Sequence, residues 1–307
     1  MSAREMEERP RSVYWVLVFG LCSFSISPIL VRFASEAPGL TIAVWRTTIA
    51  AVLLLPVALV RSRDELRELN RRDLLLISVA GVLLGIHFVT WIESLYHTTV
   101  ASASVLVTTA PIFLAILGYV FLDERLSRRV TSAILLAVAG AVLIGLGDAS
   151  GESARAPLLG NSLALTASLV FSIYLLVGRV VRQKTSWVAY VFPLYAVAGL
   201  TALIAAIALD TPLLGFSPSF YLLCLAMAVG PQLFGHGSFN YAIRYMPAAM
   251  LGLLSLIEPV AASILAFVLF DEVPGALAIS GMVVVLCAIA FAIRARRRDR
   301  AAIPAVD

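Results

Sequence analysis

The chain alternates long apolar stretches with short polar breaks along its whole length. Each stretch is about 20 residues long, enough for a helix to cross the roughly 30 Å hydrocarbon core of a bilayer. The stretches lie near residues 13–33, 40–60, 74–95, 99–122, 130–147, 158–179, 187–209, 218–243, 247–270 and 275–293. This pattern predicts an all-α membrane protein with ten transmembrane helices.

Composition agrees with the pattern. Hydrophobic residues make up 61% of the chain and charged residues 14%, with a mean hydropathy of +0.96. Soluble domains average about 45 to 50% apolar residues, so a soluble protein is excluded. The net charge of +4 does not indicate a nucleic-acid partner, because the bases are spread over many breaks instead of one surface.

The basic residues predict the orientation. If the amino terminus is cytoplasmic, 20 of the 23 Lys and Arg residues fall on that side, as basic cytoplasmic loops require. Arg32 and Arg155 fall on the other side, and Arg46 lies within a span. Both termini are therefore predicted to be cytoplasmic. The cytoplasmic bases are Arg4, Arg9, Arg11, Arg61, Arg63, Arg67, Arg71, Arg72, Arg125, Arg128, Arg129, Arg179, Arg182, Lys184, Arg244, Arg294, Arg296, Arg297, Arg298 and Arg300.

The two halves of the chain resemble each other. VFLDERLSRR at 120–129 is echoed by LFDEVPGAL at 269–277, so that Pro111 aligns with Pro259 and Asp123 with Asp271. Five helices per unit is an odd number, and the first copy ends in bases whereas the second does not, so the two repeats are predicted to be inverted. The predicted parts are a cytoplasmic tail (1–12), a first repeat (13–149), an extracytoplasmic linker (150–157), a second repeat (158–294) and a basic cytoplasmic tail (295–307).

These motifs resemble the EamA-domain transporters of the drug/metabolite transporter superfamily. The resemblance rests on TAPIFLAILGYVFLDERLS, on IEPVAASILAFVLFDE and on the arginine of AVWRTTIAAVLLLP. It implies a multi-pass carrier of the bacterial-type plasma (inner) membrane, commonly an exporter of amino acids or other small metabolites, with a central cavity between the repeats. Smaller members of the superfamily couple to protons through a glutamate in the first helix, where this chain has only serines: Ser23, Ser25 and Ser27.

Two charged residues lie deep in predicted spans. An intramembrane charge is costly and is a functional candidate by default. Glu258, near the predicted midplane, is a candidate for coupling or cavity polarity, and a structural ion pair is the alternative. Arg46 needs an acceptor, for which the candidates are Glu258, Glu93 or a substrate carboxylate, so that it is either a structural clamp or a binding group.

Two polar stripes are predicted to line the cavity. Gln232, His236 and Asn240 follow at four-residue spacing, and His87 and Trp91 do so in the equivalent segment of the first repeat. We expect the stripes to face each other. Hydrogen bonding between helices without substrate contact is the alternative.

Paired prolines are predicted to mark hinges. Pro111 and Pro259 occupy equivalent positions, and matching interruptions in two repeats point to a transport site. Pro28, Pro56, Pro193 and Pro231 have no matching partner and are therefore less informative.

The remaining motifs restrict the function. No nucleotide-binding loop or hydrolase motif is present in the sequence, so neither a primary pump nor an enzyme is expected. Cys22, Cys224 and Cys287 have no metal-ligand spacing, and neither a metal nor a cofactor is expected. The sequence predicts a secondary transporter that exports a small metabolite by alternating access, as a monomer or homodimer in the lipid bilayer. A lipid or lipid-linked sugar flippase is the alternative.

Overall fold

The computed structural model describes residues 12–98, 103, 106–148, 156–270, 273 and 275–301. Every regular element in these residues is helical. In chain order they are α1 (Ser12–Ser25), α2 (Ser27–Phe33), α3 (Gly39–Arg61), α4 (Arg63–Glu68), α5 (Arg71–His97), α6 (Ala110–Leu122), α7 (Arg128–Asp148), α8 (Pro157–Val181), α9 (Trp187–Ala208), α10 (Pro218–Met227), α11 (Ala228–His236), α12 (Gly237–Ala242), α13 (Ala248–Ser255), α14 (Ile257–Phe270) and α15 (Ala276–Ala301).

The helices make this a multi-pass membrane protein. Among the described residues, eight helical stretches are long and apolar enough to cross a bilayer. Neither α6 nor α7 is among these eight; α6 is a shorter apolar helix. The all-helical prediction is thus confirmed, while the count of ten crossings stays a prediction.

Polar residues in the breaks define where several helices begin. The side chains of Asn70, Ser186 and Ser217 each accept a hydrogen bond from a backbone N–H in the first turn of the helix that follows. Such capping satisfies N–H groups that have no partner within the helix. The short polar breaks therefore both end one span and start the next.

Among the described residues, four predicted segments are discontinuous. The first breaks at Ile26, two residues before Pro28, the fourth at Thr108 and Thr109, before Pro111, and the ninth at Leu256, before Pro259. In the eighth, α11 around Pro231 is a π-helix between two α-helices. Pro28 and Pro231, which have no counterpart in the other repeat, thus also lie beside irregularities. A proline lacks the N–H that would continue the α-helical ladder, which explains why each irregularity lies beside one.

The packing of the helices relates the two halves. Helix α5 of the first half packs against α8 of the second, and α1 of the first half packs against α11 of the second. Likewise, α3 packs against α9, and α7 against α15. Each of these contacts joins one half of the chain to the other. Close approach is achieved at Gly81 and Gly85 of α5, where an added Cβ would lie 2.9 Å from the Leu194 carbonyl and 2.8 Å from the Ala198 carbonyl. The two halves thus share one interface at the centre of the bundle.

Candidate functional site

Arg46 of α3 lies at the centre of this interface. Its side chain is fully buried, Nη2 donates to Gln232 Oε1 at 3.0 Å, and Nη1 donates to Ser27 Oγ at 3.3 Å. The guanidinium carbon is 4.2 Å from the centroid of the Phe88 ring, a cation–π contact. Arg46 is therefore held by residues from three other helices, which belong to both halves.

The acceptors of Arg46 differ from those expected. Neither Glu258 nor Glu93 is hydrogen-bonded to it among the contacts of the described residues. Glu93 Oε1 instead lies 3.1 Å from His97 Nε2, one turn along the same helix. Glu258 interacts with Arg46 electrostatically, without a hydrogen bond. Of the three candidate acceptors, neither protein carboxylate bonds to Arg46 in the described residues; a neutral amide and a hydroxyl hold the charge.

Gln232 is positioned by the π-helix α11. Tyr195 of α9 donates its hydroxyl to the Gln232 backbone carbonyl at 2.9 Å, and the Gln232 side chain is fully buried. A π-helix leaves carbonyls displaced from the regular i to i−4 pattern, and π-bulges occur frequently at functional sites. The irregularity beside Pro231 therefore fixes the acceptor of the buried arginine.

The two predicted polar stripes face each other at their histidines. The rings of His87 in α5 and His236 in α11 are 6.0 Å apart, and Phe88 and Phe171 lie beside them, their ring centroids 4.9 and 6.1 Å from that of His236. His87 Nδ1 lies 3.0 Å from the carbonyl of Ala167, which only accepts, so Nδ1 carries the proton. The Nε2 atom of His87 is then the ring nitrogen that is available to accept a proton.

Tyr174 and Asn240 extend the polar cluster toward the end of α12. The Tyr174 hydroxyl lies 3.4 Å from His236 Nδ1, and Asn240 Nδ2 donates to the His236 carbonyl at 3.0 Å. Both side chains are fully buried. The His236 ring is therefore in contact with several aromatic rings and with the Tyr174 hydroxyl, while Asn240 holds its backbone.

Glu258 lies at the helix break and not in a helix interior. It is the second residue of α14, directly after the turn at Leu256, and it is half-buried. An acidic group in the first turn is stabilised by the free N–H groups and dipole of the helix amino terminus. This explains how a carboxylate is tolerated in the span without a direct cationic hydrogen-bond partner.

Trp91 lies one turn from His87 in α5 and is 6% exposed. Its ring belongs to the apolar core of the described residues, where it packs with Leu84 and Phe88 among others. The structure thus brings Trp91 to the same helix face as His87, within packed apolar surroundings.

Pro111 and Pro259 occupy equivalent places in the two halves. Pro111 lies in the first turn of α6 after a turn at Thr108 and Thr109, and Pro259 lies in the first turn of α14 after Leu256. The Val107 carbonyl, which Pro111 cannot engage, accepts from Ser168 Oγ at 3.0 Å. The interruptions match as expected, and each proline begins a helix instead of bending one.

Several buried polar atoms of the cluster lack a partner. Within the described part of the chain, Arg46 Nε, Gln232 Nε2 and Asn240 Oδ1 are buried and make no hydrogen bond. An unpartnered buried donor costs about 1 to 3 kcal/mol, so such atoms in one cluster point to a group that binds there. Two donors beside a cation suit a carboxylate, and an amide oxygen suits an ammonium group.

Comparison with known proteins identifies the family. A model of the EamA-like transporter family matches twice, over residues 11–146 and 158–294. The chain belongs to the EamA-like transporter family. Two matches of similar length confirm the internal duplication that the repeated motifs predicted.

Relatives of this EamA-like chain include named exporters. It is 29% identical over 286 residues to a probable terminal-alkyne amino-acid exporter of Streptantibioticus cattleyicolor, covering 87% of this chain and 88% of that protein. It is 22% identical to Solute carrier family 35 member G1 of Mus musculus, covering 82% and 70%. A crystal structure with 20% identity has a TM-score of 0.79 and covers 94% of this chain and 99% of that one, which shows a shared fold.

A shorter similarity involves another exporter. The Pseudopaline exporter of Pseudomonas aeruginosa is 30% identical over 123 residues, which are 40% of this chain and 42% of that protein. The named relatives are therefore transporters, which agrees with the expectation that this chain is a transporter.

Three members of the polar cluster were not predicted as site residues. Ser27, Tyr174 and Tyr195 contact Arg46, His236 and Gln232. Tyrosine usually lies near the ends of membrane spans, where its hydroxyl meets water. Tyr174 and Tyr195 lie well inside their spans, and that position in the sequence is the signal that could have identified them.

Proposed function

We propose that this chain is an inner-membrane secondary transporter that exports a small zwitterionic metabolite, such as an amino acid, by alternating access between two inverted repeats. The observation that carries the proposal is the buried cluster around Arg46, to which both halves of the chain contribute. A charge retained at such a place in a membrane protein usually serves a substrate or ion pathway.

The unpartnered atoms support a zwitterion as the substrate. Arg46 Nε and Gln232 Nε2 are two N–H donors on neighbouring groups that could bind both oxygens of a carboxylate. Asn240 Oδ1 and the Glu258 carboxylate could accept from an ammonium group. His87, His236 and Trp91 would then form the aromatic wall of the cavity.

Alternating access is supported by the position of the helix breaks. Matching breaks precede Pro111 and Pro259, so the same hinge is available in each half. Because each repeat is predicted to contain an odd number of spans, the hinges would act at opposite sides of the membrane. Rocking of one half against the other would expose the Arg46 cluster to each side in turn.

The proposal is tested by thermal unfolding of the purified protein with a panel of amino acids, monocarboxylates, amines, nucleosides and lipid precursors. A ligand at 100 times its Kd adds about 2.7 kcal/mol of stability, so a substrate should stand out. We expect a response to amino acids that is lost in Arg46→Lys and altered in Glu258→Gln. Responses to amines alone, or responses unchanged in both variants, would overturn the carboxylate assignment.

A groove on the side of the bundle favours a lipid flippase as the second candidate function. The groove has a volume of about 600 Å³ and lies between α1, α3, α9, α11 and α12. Trp15 and Phe234 of its lining are 74% and 46% exposed, so it opens on the outer surface. Two of its polar groups are already engaged: Ser238 Oγ donates to the Gly235 carbonyl and Trp187 Nε1 to the Gly237 carbonyl.

Such a lining is mostly apolar and has room for an acyl chain, and neither Arg46 nor His236 of the buried cluster is part of it. We therefore favour the metabolite exporter. A fluorescent-lipid scrambling assay in proteoliposomes separates the two: dithionite-accessible lipid should stay near 50% for an exporter and approach 100% for a flippase, as two leaflets of equal size require. Scrambling that depends on Arg46 would favour the flippase.

A further inference from the structure

One end of the helix bundle is closed by an arginine that is not part of the Arg46 cluster. Arg179, in the last turn of α8, donates through Nε to Glu124 Oε1 at 3.0 Å and through Nη1 to the carbonyls of Ile243 and Arg244 at 2.7 and 2.8 Å. We call these four residues the Arg179 cluster. It joins the loop after α6, the end of α8 and the loop between α12 and α13, and so connects the first half of the chain to the second.

The backbone around Glu124 positions its side chain for the ion pair with Arg179. Asp123 has a positive φ of 51° and ends α6, and the N–H of Glu124 then donates to the Gly118 carbonyl at 3.0 Å. This cap turns the Glu124 side chain back over Gly118, where an added Cβ would lie 3.4 Å from the carboxylate. The side chains of Arg179 and Glu124 are only 10% and 16% exposed, so their hydrogen bonds are largely protected from water.

A neighbouring arginine reinforces the same end. Arg182 Nε donates to the Asn240 carbonyl at 2.9 Å, and its Nη1 donates to the Thr185 carbonyl. Burial, followed by the charge of Arg244, lowers the pKa of Arg182 to about 10, so the side chain remains charged at neutral pH. Arg179 and Arg182, at the end of α8 and directly after it, thus bind backbone carbonyls at the end of the α11–α12 segment that carries Gln232 and His236.

The helices joined by the Arg179 cluster are those that contain the breaks. The segment from Ala110 of α6 follows the turn at Thr108 and Thr109, and the loop that holds Ile243 and Arg244 leads into α13 and the break at Leu256. Movement of either segment about its break would separate Glu124 or the two carbonyls from Arg179. We infer that the Arg179 cluster is a gate that closes the basic end of the transport pathway and must open in each cycle.

This inference rests on the proposed alternating-access function but is tested without a substrate. A single cysteine replaces Ser172, which is fully buried in α8, two turns and about 10 Å inside Arg179. The background lacks Cys22, Cys224 and Cys287. The rate at which the thiol introduced by Ser172→Cys reacts with a membrane-impermeant cationic methanethiosulfonate is measured in inside-out and right-side-out vesicles.

Opening of the gate should expose Ser172→Cys at the basic end alone. We expect Arg179→Gln and Glu124→Gln each to raise the labelling rate about tenfold from that side, the factor that corresponds to loss of a hydrogen bond to a charged group. Arg244→Gln is the matched control, because it removes a charge from the same loop while its carbonyl still accepts. It should label at the background rate.

The gate would be overturned if Arg179→Gln, Glu124→Gln and Arg244→Gln label at equal rates, or if labelling becomes faster from both sides of the membrane. Glu124→Gln leaves both carbonyl bonds of Arg179 in place and so carries the test if Arg179→Gln does not fold. If the ligand panel gives no response while labelling rises as expected, the proposed substrate class fails and the gate stands. A ligand response without faster labelling would leave the transporter proposal intact and reject the gate.

Discussion

Arg46 and Gln232 lie 186 residues apart in the chain, and a hydrogen bond of 3.0 Å between them joins the two halves of the bundle. The donor is a buried cation and the acceptor a neutral amide whose own N–H₂ group has no partner among the described residues. The arrangement holds the charge in place without neutralising it. A bound carboxylate could therefore still gain the full electrostatic benefit of the guanidinium.

Replacement of Gln232 should destabilise the protein. Gln232→Ala leaves Arg46 with only the longer bond to Ser27, and loss of a hydrogen bond to a charged group costs about 1.5 to 3 kcal/mol. Thermal unfolding in detergent measures the effect. Lys184→Ala, at an exposed position, is the control and should change stability by less than about 0.5 kcal/mol. Equal melting of the two variants would show that the Arg46–Gln232 bond contributes nothing to stability.

Trp91 should behave as a packed core residue. At 6% exposure, Trp91→Ala should cost about 3 to 5 kcal/mol of stability because of the cavity it leaves. Trp15→Ala is the matched control, since Trp15 is 74% exposed and should contribute little to the free energy of unfolding. A stable Trp91→Ala that loses the ligand response would instead identify Trp91 as a substrate contact.

Much of this arrangement could be predicted from the sequence. The apolar stretches predicted the helices, eight of which are long and apolar enough to cross a bilayer among the described residues, and the spacing of His87, His236 and Gln232 placed them on inward-facing surfaces. Deeply placed polar residues in membrane helices avoid lipid, so they converge on the interior. The inward direction of the Arg46 side chain could be predicted for the same reason, because a charge exposed to lipid is costly.

The partners within the site were harder to predict. Gln232 becomes the acceptor of Arg46 because α11 is a π-helix, and helical spacing in the sequence assumes a regular α-helix. The position of Glu258 at a helix amino terminus likewise depends on the break at Leu256. A proline in the sequence shows that a break is possible, but the surrounding helices decide whether the break precedes the proline or bends the helix at it.

The prolines of the matched breaks should affect transport more than stability. Pro111→Ala and Pro259→Ala allow an α-helix to continue through the preceding turn, and alanine fits the first turn of a helix with a change of about 1 kcal/mol or less. We expect slower exchange of whichever ligand the panel identifies, measured in proteoliposomes. Pro56→Ala, at an exposed position inside α3, should exchange at the wild-type rate. If all three variants exchange equally, the breaks are not hinges.

Gly20 of α1 and Ser238 of α12 form a second contact between the halves. A Cβ on Gly20 would lie 1.8 Å from Ser238 Oγ and 2.3 Å from Ser238 Cβ, so no side chain fits without a shift of one helix. Overpacking of this kind costs about 1 to 3 kcal/mol, and we expect Gly20→Ala to lower the melting temperature accordingly. Gly230→Ala, where nothing lies within 4 Å of the added Cβ, should not lower it.

The double variant Gly20→Ala with Ser238→Gly tests whether this contact is the cause. Removal of the serine side chain clears the two atoms that the new methyl group would meet, so the double variant should recover most of the stability lost in Gly20→Ala. Ser238→Gly alone should cost only the helical penalty of glycine, roughly 0.5 to 1 kcal/mol, because the serine hydroxyl bonds only to the Gly235 carbonyl of its own segment. Since contacting residues couple and distant ones do not, a double variant no more stable than the sum of the single effects predicts would mean that α1 and α12 do not press on each other here.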